Sequence, residues 1–251
     1  MKTDFIIENG VLKQYVGNGR DITIPDGVTK IGIGAFNGCK NLTKVILPDS
    51  VTDIELGAFG ECKSLMSVTV PNHLKKIGMA AFQGCESLTS IIIPKNVKAI
   101  EMSAFSRCTN LTNVVIAEGV KIIEMSAFSD CTQLTSVVIP KSVKEIGKFA
   151  FCTCEKLQTV MISEGVLRIK EGAFKDCFQL ENIVLPDGVK TIGPNVFEKC
   201  INLKCVKIPA SVTRIGKLAF TSCPSATLLV SAGSYAEEWA KEHRIPFMIE
   251  P

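Results

Sequence analysis

The chain has 251 residues, of which 46 % are hydrophobic and 21 % are charged. This share of apolar residues excludes wholesale disorder, and a net charge of +3 is too small to indicate a nucleic-acid or membrane partner by itself. No apolar run approaches the roughly 20 residues that a membrane-spanning helix requires.

The first 20 residues predict an N-terminal cap. Residues 5–7 and 11–15 have the apolar character of two short strands. The first ten residues lack the continuous apolar stretch and small-residue cleavage site of a signal peptide. We therefore expect a cytoplasmic protein if Met1 is the native start, and a surface or secreted protein if a leader has been removed.

From residue 21 to residue 230, one pattern recurs every 23 residues without an insertion. A cysteine follows each repeated phenylalanine by three positions, and a leucine follows three positions later in all copies but the ninth, which has Ala226. A fixed period of this length indicates a solenoid of stacked coils. The repeated phenylalanines are Phe36, Phe59, Phe82, Phe105, Phe128, Phe151, Phe174, Phe197 and Phe220.

One coil illustrates the predicted unit. Leu88, Ile91 and Ile93 have the L-x-x-L-x-L spacing of a leucine-rich-repeat strand, in which alternate side chains point inward. Pro94 lacks an N–H group and is expected to end that strand. The following Ala-Phe pair and its cysteine are expected on a short helical or 3₁₀ turn. Because one coil is too small to bury its own apolar face, neighbouring coils must bury it by stacking.

The unit resembles the 23-residue leucine-rich repeats of the BspA-like class, with the pattern I-P-x-x-V-x-x-I-G-x-x-A-F-x-x-C-x-x-L. The resemblance covers about residues 20–230, with local departures at Ala117 and Ser163 (usually proline) and at Val196 (usually alanine). It implies an α/β leucine-rich-repeat solenoid, a strand-rich right-handed superhelix of nine to ten coils plus caps. Such repeats are known in bacterial proteins for adhesion and protein recognition, and many have no known function.

The last 21 residues predict a C-terminal cap. Ser234 and Glu237 have the spacing of a capping box, which predicts a helix to about His243. Trp239 is expected to close the end of the core, and residues 247–249 to add a last strand. The chain is thus predicted to be one structural domain: a cap (1–20), a solenoid (21–230) and a capping helix and strand (231–251).

The eleven cysteines are predicted to be free thiols. One cysteine per coil forms a single file in which the side chains run parallel, whereas a disulfide needs its two Cβ atoms to converge. A zinc site is not expected either, because four ligands must surround one point. Cys152 and Cys205 lie outside the file and are the thiols that we expect to be most exposed.

The sequence predicts neither an enzyme nor a cofactor-binding protein. It contains two histidines, His73 and His243, and none of the nucleotide, metal-protease or nucleophile motifs. Glu101 and Glu124 recur on adjacent coils and resemble a carboxylate pair, but we interpret them as a solvated surface row.

One row of strand residues is expected to be apolar and to face solvent on the concave side. This stripe predicts an interface with a protein or peptide, although β-branched residues also favour strands without any partner. The alternative is a self-associating structural or cell-surface adhesion module, so a monomer or a weak homo-oligomer is expected. The apolar stripe comprises Ile46, Thr69, Ile92, Val115, Val138, Met161 and Val184, and Lys207 continues the row.

A second row, which we name the lysine ridge, follows the proline turn. It is basic and consists of Lys75, Lys98, Lys121, Lys144 and Lys190. A ridge of this kind attracts polyanions, but the interpretation that we favour from the sequence is a solvated face. Nucleic acid is not expected as a partner, because the sequence offers no aromatic residues for base stacking there.

Overall fold

A computed structural model describes residues 4–250. The fold is a β-solenoid of about ten turns, and α1 is the single helix of the described part. That helix, of nine residues, is too short to cross a membrane, and residues 4–250 contain no other candidate span.

From β3 to β21 the strands alternate between longer segments of three or four residues and two-residue segments. Their bounds are β1 Phe5–Glu8, β2 Val11–Tyr15, β3 Asp21–Thr23, β4 Lys30–Ile31, β5 Lys44–Ile46, β6 Asp53–Ile54, β7 Ser67–Thr69, β8 Lys76–Ile77, β9 Ser90–Ile93, β10 Ala99–Ile100, β11 Asn113–Ile116, β12 Ile122–Ile123, β13 Ser136–Ile139, β14 Glu145–Ile146, β15 Thr159–Ile162, β16 Arg168–Ile169, β17 Asn182–Val184, β18 Thr191–Ile192, β19 Cys205–Ile208, β20 Arg214–Ile215, β21 Thr227–Val230 and β22 Phe247–Ile249. The helix α1 spans Tyr235–His243.

Two faces result from this alternation. The even-numbered strands from β4 to β20, which have two residues each, join β1 and β2 in an 11-stranded sheet, which we name the short-strand face. The longer strands form the long-strand face, which consists of three consecutive sheets: β3–β5–β7, β9–β11 and β13–β15–β17–β19–β21–β22. Pairing between coils is parallel, and equivalent residues lie side by side, as Val115 does with Ile92. The 23-residue period of the sequence therefore determines the register in which neighbouring strands pair.

The core between the two faces is a stack of rings and aliphatic side chains. The nine repeated phenylalanines stack with centroid separations of 4.8 to 5.8 Å and interplanar angles of at most 18°. Leu88, Ile91 and Ile93 are buried as predicted, and so are Val97 and Ile100 in the same coil. Each coil thus buries its apolar residues against the coils on either side.

The turn that carries each phenylalanine alternates between two kinds of hydrogen bond. The N–H groups of Ala104, Ser106 and Cys108 bond to carbonyls three residues earlier in the same coil. The N–H groups of the intervening residues, among them Phe105, bond to carbonyls of the next coil. Ser103 and Arg107 have φ angles of 55° and 60°, and this left-handed backbone prevents the turn from continuing as a helix. The expected helical or 3₁₀ turn therefore takes the form of successive single turns that are tied to the neighbouring coil.

Both ends of the ring stack are covered. The predicted N-terminal strands form the antiparallel hairpin β1–β2, and Tyr15 lies 5.2 Å from Phe36, between their ring centroids. At the other end Trp239 packs edge-on against Phe220 at 5.9 Å, as the sequence indicated. The Ser234 side chain accepts the N–H of Glu237, while the Glu237 carboxylate accepts the N–H of Gly233 rather than that of Ser234. The helix and β22 have the predicted positions.

Candidate binding faces

The apolar stripe lies on the outer side of the long-strand face. Its five central side chains are 45 to 61 % exposed, whereas the residues on either side of each along the chain are apolar and buried, except for the half-buried Ile162. The central five are Ile92, Val115, Val138, Met161 and Val184. Ile46 and Thr69 extend the row with exposed side chains, and Lys207 at its far end is half-buried.

The surface beside the stripe is polar and contains two shallow depressions. The neighbouring strand position holds Ser90, Asn113 and Ser136, all of which are exposed. A depression of about 450 Å³ lies between β15 and β17, with Met161 and Val184 in its lining. A smaller one of about 250 Å³ lies between β7 and β9, where the sheet is interrupted. The stripe is therefore a corrugated surface rather than a deep pocket.

The lysine ridge is held in line by the backbone. The N–H of Lys121 bonds to the carbonyl of Lys98 at 2.7 Å, and the N–H of Lys144 bonds to the carbonyl of Lys121 at 2.8 Å. The next coil has Leu167 at this position, and the N–H of Lys190 bonds to its carbonyl. All five lysines of the ridge are exposed, and among residues 4–250 none of them forms an ion pair.

A second exposed apolar row was not predicted from the sequence. It occupies the position three residues before each phenylalanine in the first five coils, at the edge of the short-strand face. Its members are exposed by 38 to 70 %, except for the half-buried Met102. A signal for it was present, because the same position is apolar five times in succession. This methionine row consists of Ile33, Leu56, Met79, Met102 and Met125.

The two glutamates that resemble a catalytic pair have structural partners. A carboxylate oxygen of Glu101 accepts the backbone N–H of Met79 at 2.9 Å. Glu124 accepts the N–H of Met102 in the same way at 3.2 Å. Each side chain thus satisfies a backbone donor of the preceding coil. His243 stacks on Trp239 with a centroid separation of 4.2 Å, and His73 lies exposed on a turn.

The cysteine file consists of free thiols, and most of them are buried. From Cys62 to Cys223, the Sγ of each donates to the carbonyl of a phenylalanine 26 residues earlier; Cys85 bonds to Phe59 O in this way at 3.1 Å. Burial raises the pKa of the Cys85 thiol to about 12. Cys152 and Cys205, which were expected to be the most exposed, are half-buried, and so are Cys39 and Cys223 at the two ends of the file.

Comparison with known proteins gives a family and a set of similar structures. The model of the BspA type leucine-rich repeat region, in six copies, matches residues 6–127 and 98–227. None of the curated proteins matches the chain significantly. A leucine-rich cell surface protein from Faecalibacterium prausnitzii A2-165 is 25 % identical, with 94 % of each chain covered and a TM-score of 0.41.

Two further solved structures are similar to this chain. The T. pallidum leucine-rich repeat protein is 27 % identical, with 96 % of this chain and 89 % of that chain covered and a TM-score of 0.48. The pneumococcal vaccine antigen PcpA is 17 % identical, with 98 % and 96 % covered and a TM-score of 0.50, which is a likeness of fold. Since the family model matches most of the solenoid, the chain belongs to the BspA-type leucine-rich-repeat family.

Proposed function

We propose that this chain is a non-enzymatic recognition module that binds another protein or peptide through the apolar stripe of the long-strand face. The observation that carries the proposal is the exposure of an apolar side chain on five successive coils, at 45 to 61 % each. Single exposed hydrophobic residues are common on protein surfaces, but a contiguous row of them usually marks an interface.

Strand propensity alone is a weaker explanation of the stripe. Thr69 and Lys207 occupy the same strand position in other coils, so the fold does not require an apolar residue there. In the five strands that carry the central residues of the stripe, β9, β11, β13, β15 and β17, the adjacent outward position is filled by serine, asparagine or threonine. A partner that covered the stripe would gain about 25 cal/mol for each Å² of apolar surface removed from water.

The broader assignment comes from the family. Leucine-rich repeats of this type suggest a protein-interaction or surface-protein module. That the partner binds at the apolar stripe of the long-strand face, and that the chain has no catalytic activity, are parts of our proposal. In its support, Glu101 and Glu124 are engaged by backbone N–H groups, and His243 is stacked on Trp239. These groups have structural roles that account for their positions.

The test compares the native chain with two matched triple variants. The stripe variant carries Ile92→Lys, Val115→Lys and Val138→Lys. Lysine is chosen because Lys207 occupies the equivalent strand position in another coil. The control carries Ile33→Lys, Met79→Lys and Met125→Lys in the methionine row, where Lys148 occupies the same position in the next coil. Both variants add three charges to exposed sites, and circular dichroism with thermal unfolding establishes that each is folded.

Proteins captured from a lysate of the source organism are identified, purified and titrated against all three chains. We expect the native chain and the control to bind with equal affinity and the stripe variant to lose binding. Equal affinity for all three would remove the stripe from the interface. Sedimentation velocity over a range of concentrations tests the alternative: self-association that the stripe variant abolishes would assign the stripe to contacts between copies of this chain.

A further inference from the structure

The lysine ridge has a composition that the fold does not require. Thr52 and Thr213 occupy the ridge position in two coils and Leu167 occupies it in a third, with the same backbone hydrogen bonds. An uncharged side chain therefore suffices for the coil to form. Each ridge lysine directly precedes a two-residue strand, so the backbones of ridge lysines on adjacent coils lie at about the strand spacing of 4.8 Å, and like charges held this close repel each other. The run of lysines thus opposes stability rather than adding to it.

Nearby carboxylates do not neutralise the ridge. Glu145 follows Lys144 directly, but it pairs with Arg168 at 2.9 Å and with Lys170 at 2.6 Å. Glu118 lies on the preceding turn, where it accepts the backbone N–H of Ser142 at 3.2 Å. Lys95 and Lys141, at the equivalent position in the coils on either side, are exposed and outnumber Glu118 beside Lys98, Lys121 and Lys144, whereas the following two turns carry Glu164 and Asp187. Elsewhere on the surface, lysines such as Lys63 and Lys204 have glutamate partners.

We infer that the lysine ridge binds a linear polyanion that carries phosphate or sulfate groups. One exposed lysine gains little from one anion, typically less than about 1 kcal/mol. Lysines in register on successive coils can engage successive charges of one polymer and release its condensed counterions together. The partner is a polymer without bases, because the coil segments that carry the ridge contain no phenylalanine, tyrosine or tryptophan on which bases could stack. This surface is distinct from the apolar stripe, so the inference does not depend on the proposed function.

The test uses fluorescently labelled inorganic polyphosphate and dextran sulfate, with titrations by anisotropy at several salt concentrations. The ridge variant carries Lys98→Thr, Lys121→Thr and Lys144→Thr. Threonine is chosen because Thr52 and Thr213 occupy the ridge position in other coils. The control carries Lys63→Thr, Lys156→Thr and Lys204→Thr, which removes the same charge from lysines that have partners. A labelled single-stranded DNA of equal charge is the third probe.

We expect the native chain and the control to bind both polymers, with affinity that falls steeply as salt increases. The ridge variant should bind at least about tenfold more weakly. The better of the two polymers identifies the phosphate or the sulfate as the preferred group. The inference is overturned if the native chain fails to bind either polymer in 50 mM salt, if the control loses as much affinity as the ridge variant, or if the DNA binds more tightly than both polymers.

Discussion

The Sγ of Cys131 donates a hydrogen bond to the carbonyl oxygen of Phe105 in the preceding coil, at 3.4 Å. Equivalent bonds run from Cys62 to Cys223 along the file. In most coils the same carbonyl also accepts the N–H of the cysteine in its own coil, as Phe105 O does from Cys108. The thiol therefore fills a small space in the core and supplies a weak donor to a carbonyl that has a second lone pair.

Replacement of Cys131 by alanine should lower the free energy of unfolding by about 1 kcal/mol, because it leaves a void of roughly one methyl group and removes the donor. Urea unfolding followed by circular dichroism measures the change. Cys152→Ala is the matched control, since Cys152 is half-buried and outside the file. An equal loss in both variants would contradict the role that we assign to the file.

Phe128→Ala should cost about 3–5 kcal/mol, as expected for a fully buried aromatic residue. The ring of Phe128 stacks at 5.3 Å on both Phe105 and Phe151, so its removal opens a cavity that two neighbouring coils line. The control is Phe149→Ala, because Phe149 is half-buried in a left-handed conformation that Ala80 adopts at the equivalent position. Chemical unfolding of both variants should give a much smaller loss for Phe149→Ala. A cost near zero for Phe128→Ala would overturn the assignment of this row to the core.

Trp239→Ala should expose the end of the ring stack. Trp239 is 6 % exposed and covers Phe220, and a solenoid depends on such a cap to shield its last coil from water. Hydrogen–deuterium exchange should rise most in β19 to β21 and little in β4 to β8, since coils contact only their neighbours. Tyr235→Ala on the exposed side of α1 is the control. A uniform rise along the whole chain would argue against a local cap.

Alkylation of the thiols should divide the cysteines into two groups. The reactive species is the thiolate, so a raised pKa slows the reaction at neutral pH. Burial raises the pKa of Cys223 to about 11; its rate should therefore increase about tenfold for each pH unit between 7 and 9, where the pH is still below the pKa. Mass spectrometry after iodoacetamide treatment of the native protein should show modification of Cys39, Cys152, Cys205 and Cys223.

The seven buried cysteines should react only after denaturation. Their solvent access is blocked in the native coil, and the pKa of Cys85, for example, is about 12. The denatured protein serves as the reference in which all eleven cysteines are accessible. Reaction of Cys85 in the native state at pH 8 would contradict the burial of the file.

The period of 23 residues was sufficient to predict the stacked coils, the inward phenylalanines and the buried thiols. A fixed period forces equivalent residues into register, and the apolar positions then determine which side faces inward. The end caps followed from local signals, such as the spacing of Ser234 and Glu237. In the structure Glu237 instead accepts the N–H of Gly233, a detail that depends on the backbone just before the helix.

Two features of the surface depend on geometry that the residue pattern does not contain. Ser103, Ser126 and Phe149 adopt positive φ angles at equivalent positions, although such residues disfavour that conformation. The hydrogen bonds between coils on either side impose it. Because that left-handed residue directly follows each member of the methionine row, the exposure of the row could not be read from the sequence alone. The sequence predicted the apolar stripe as an interface and the lysine ridge as a solvated face, but it could not show which lysines of the described residues have ion-pair partners, because that depends on side chains of neighbouring coils.

The ring stack, the thiol file and the ladders of backbone hydrogen bonds all join one coil to the next, with very few contacts that reach further. A gene that encodes such a chain can gain or lose one 23-residue unit by recombination between its own repeats, and the junction that results is the same as every other junction. Each event would lengthen or shorten the apolar stripe and the lysine ridge together by one step, while both caps stay unchanged. The number of repeats sets the length of both surfaces, so mutation and selection can change that length while the fold stays the same.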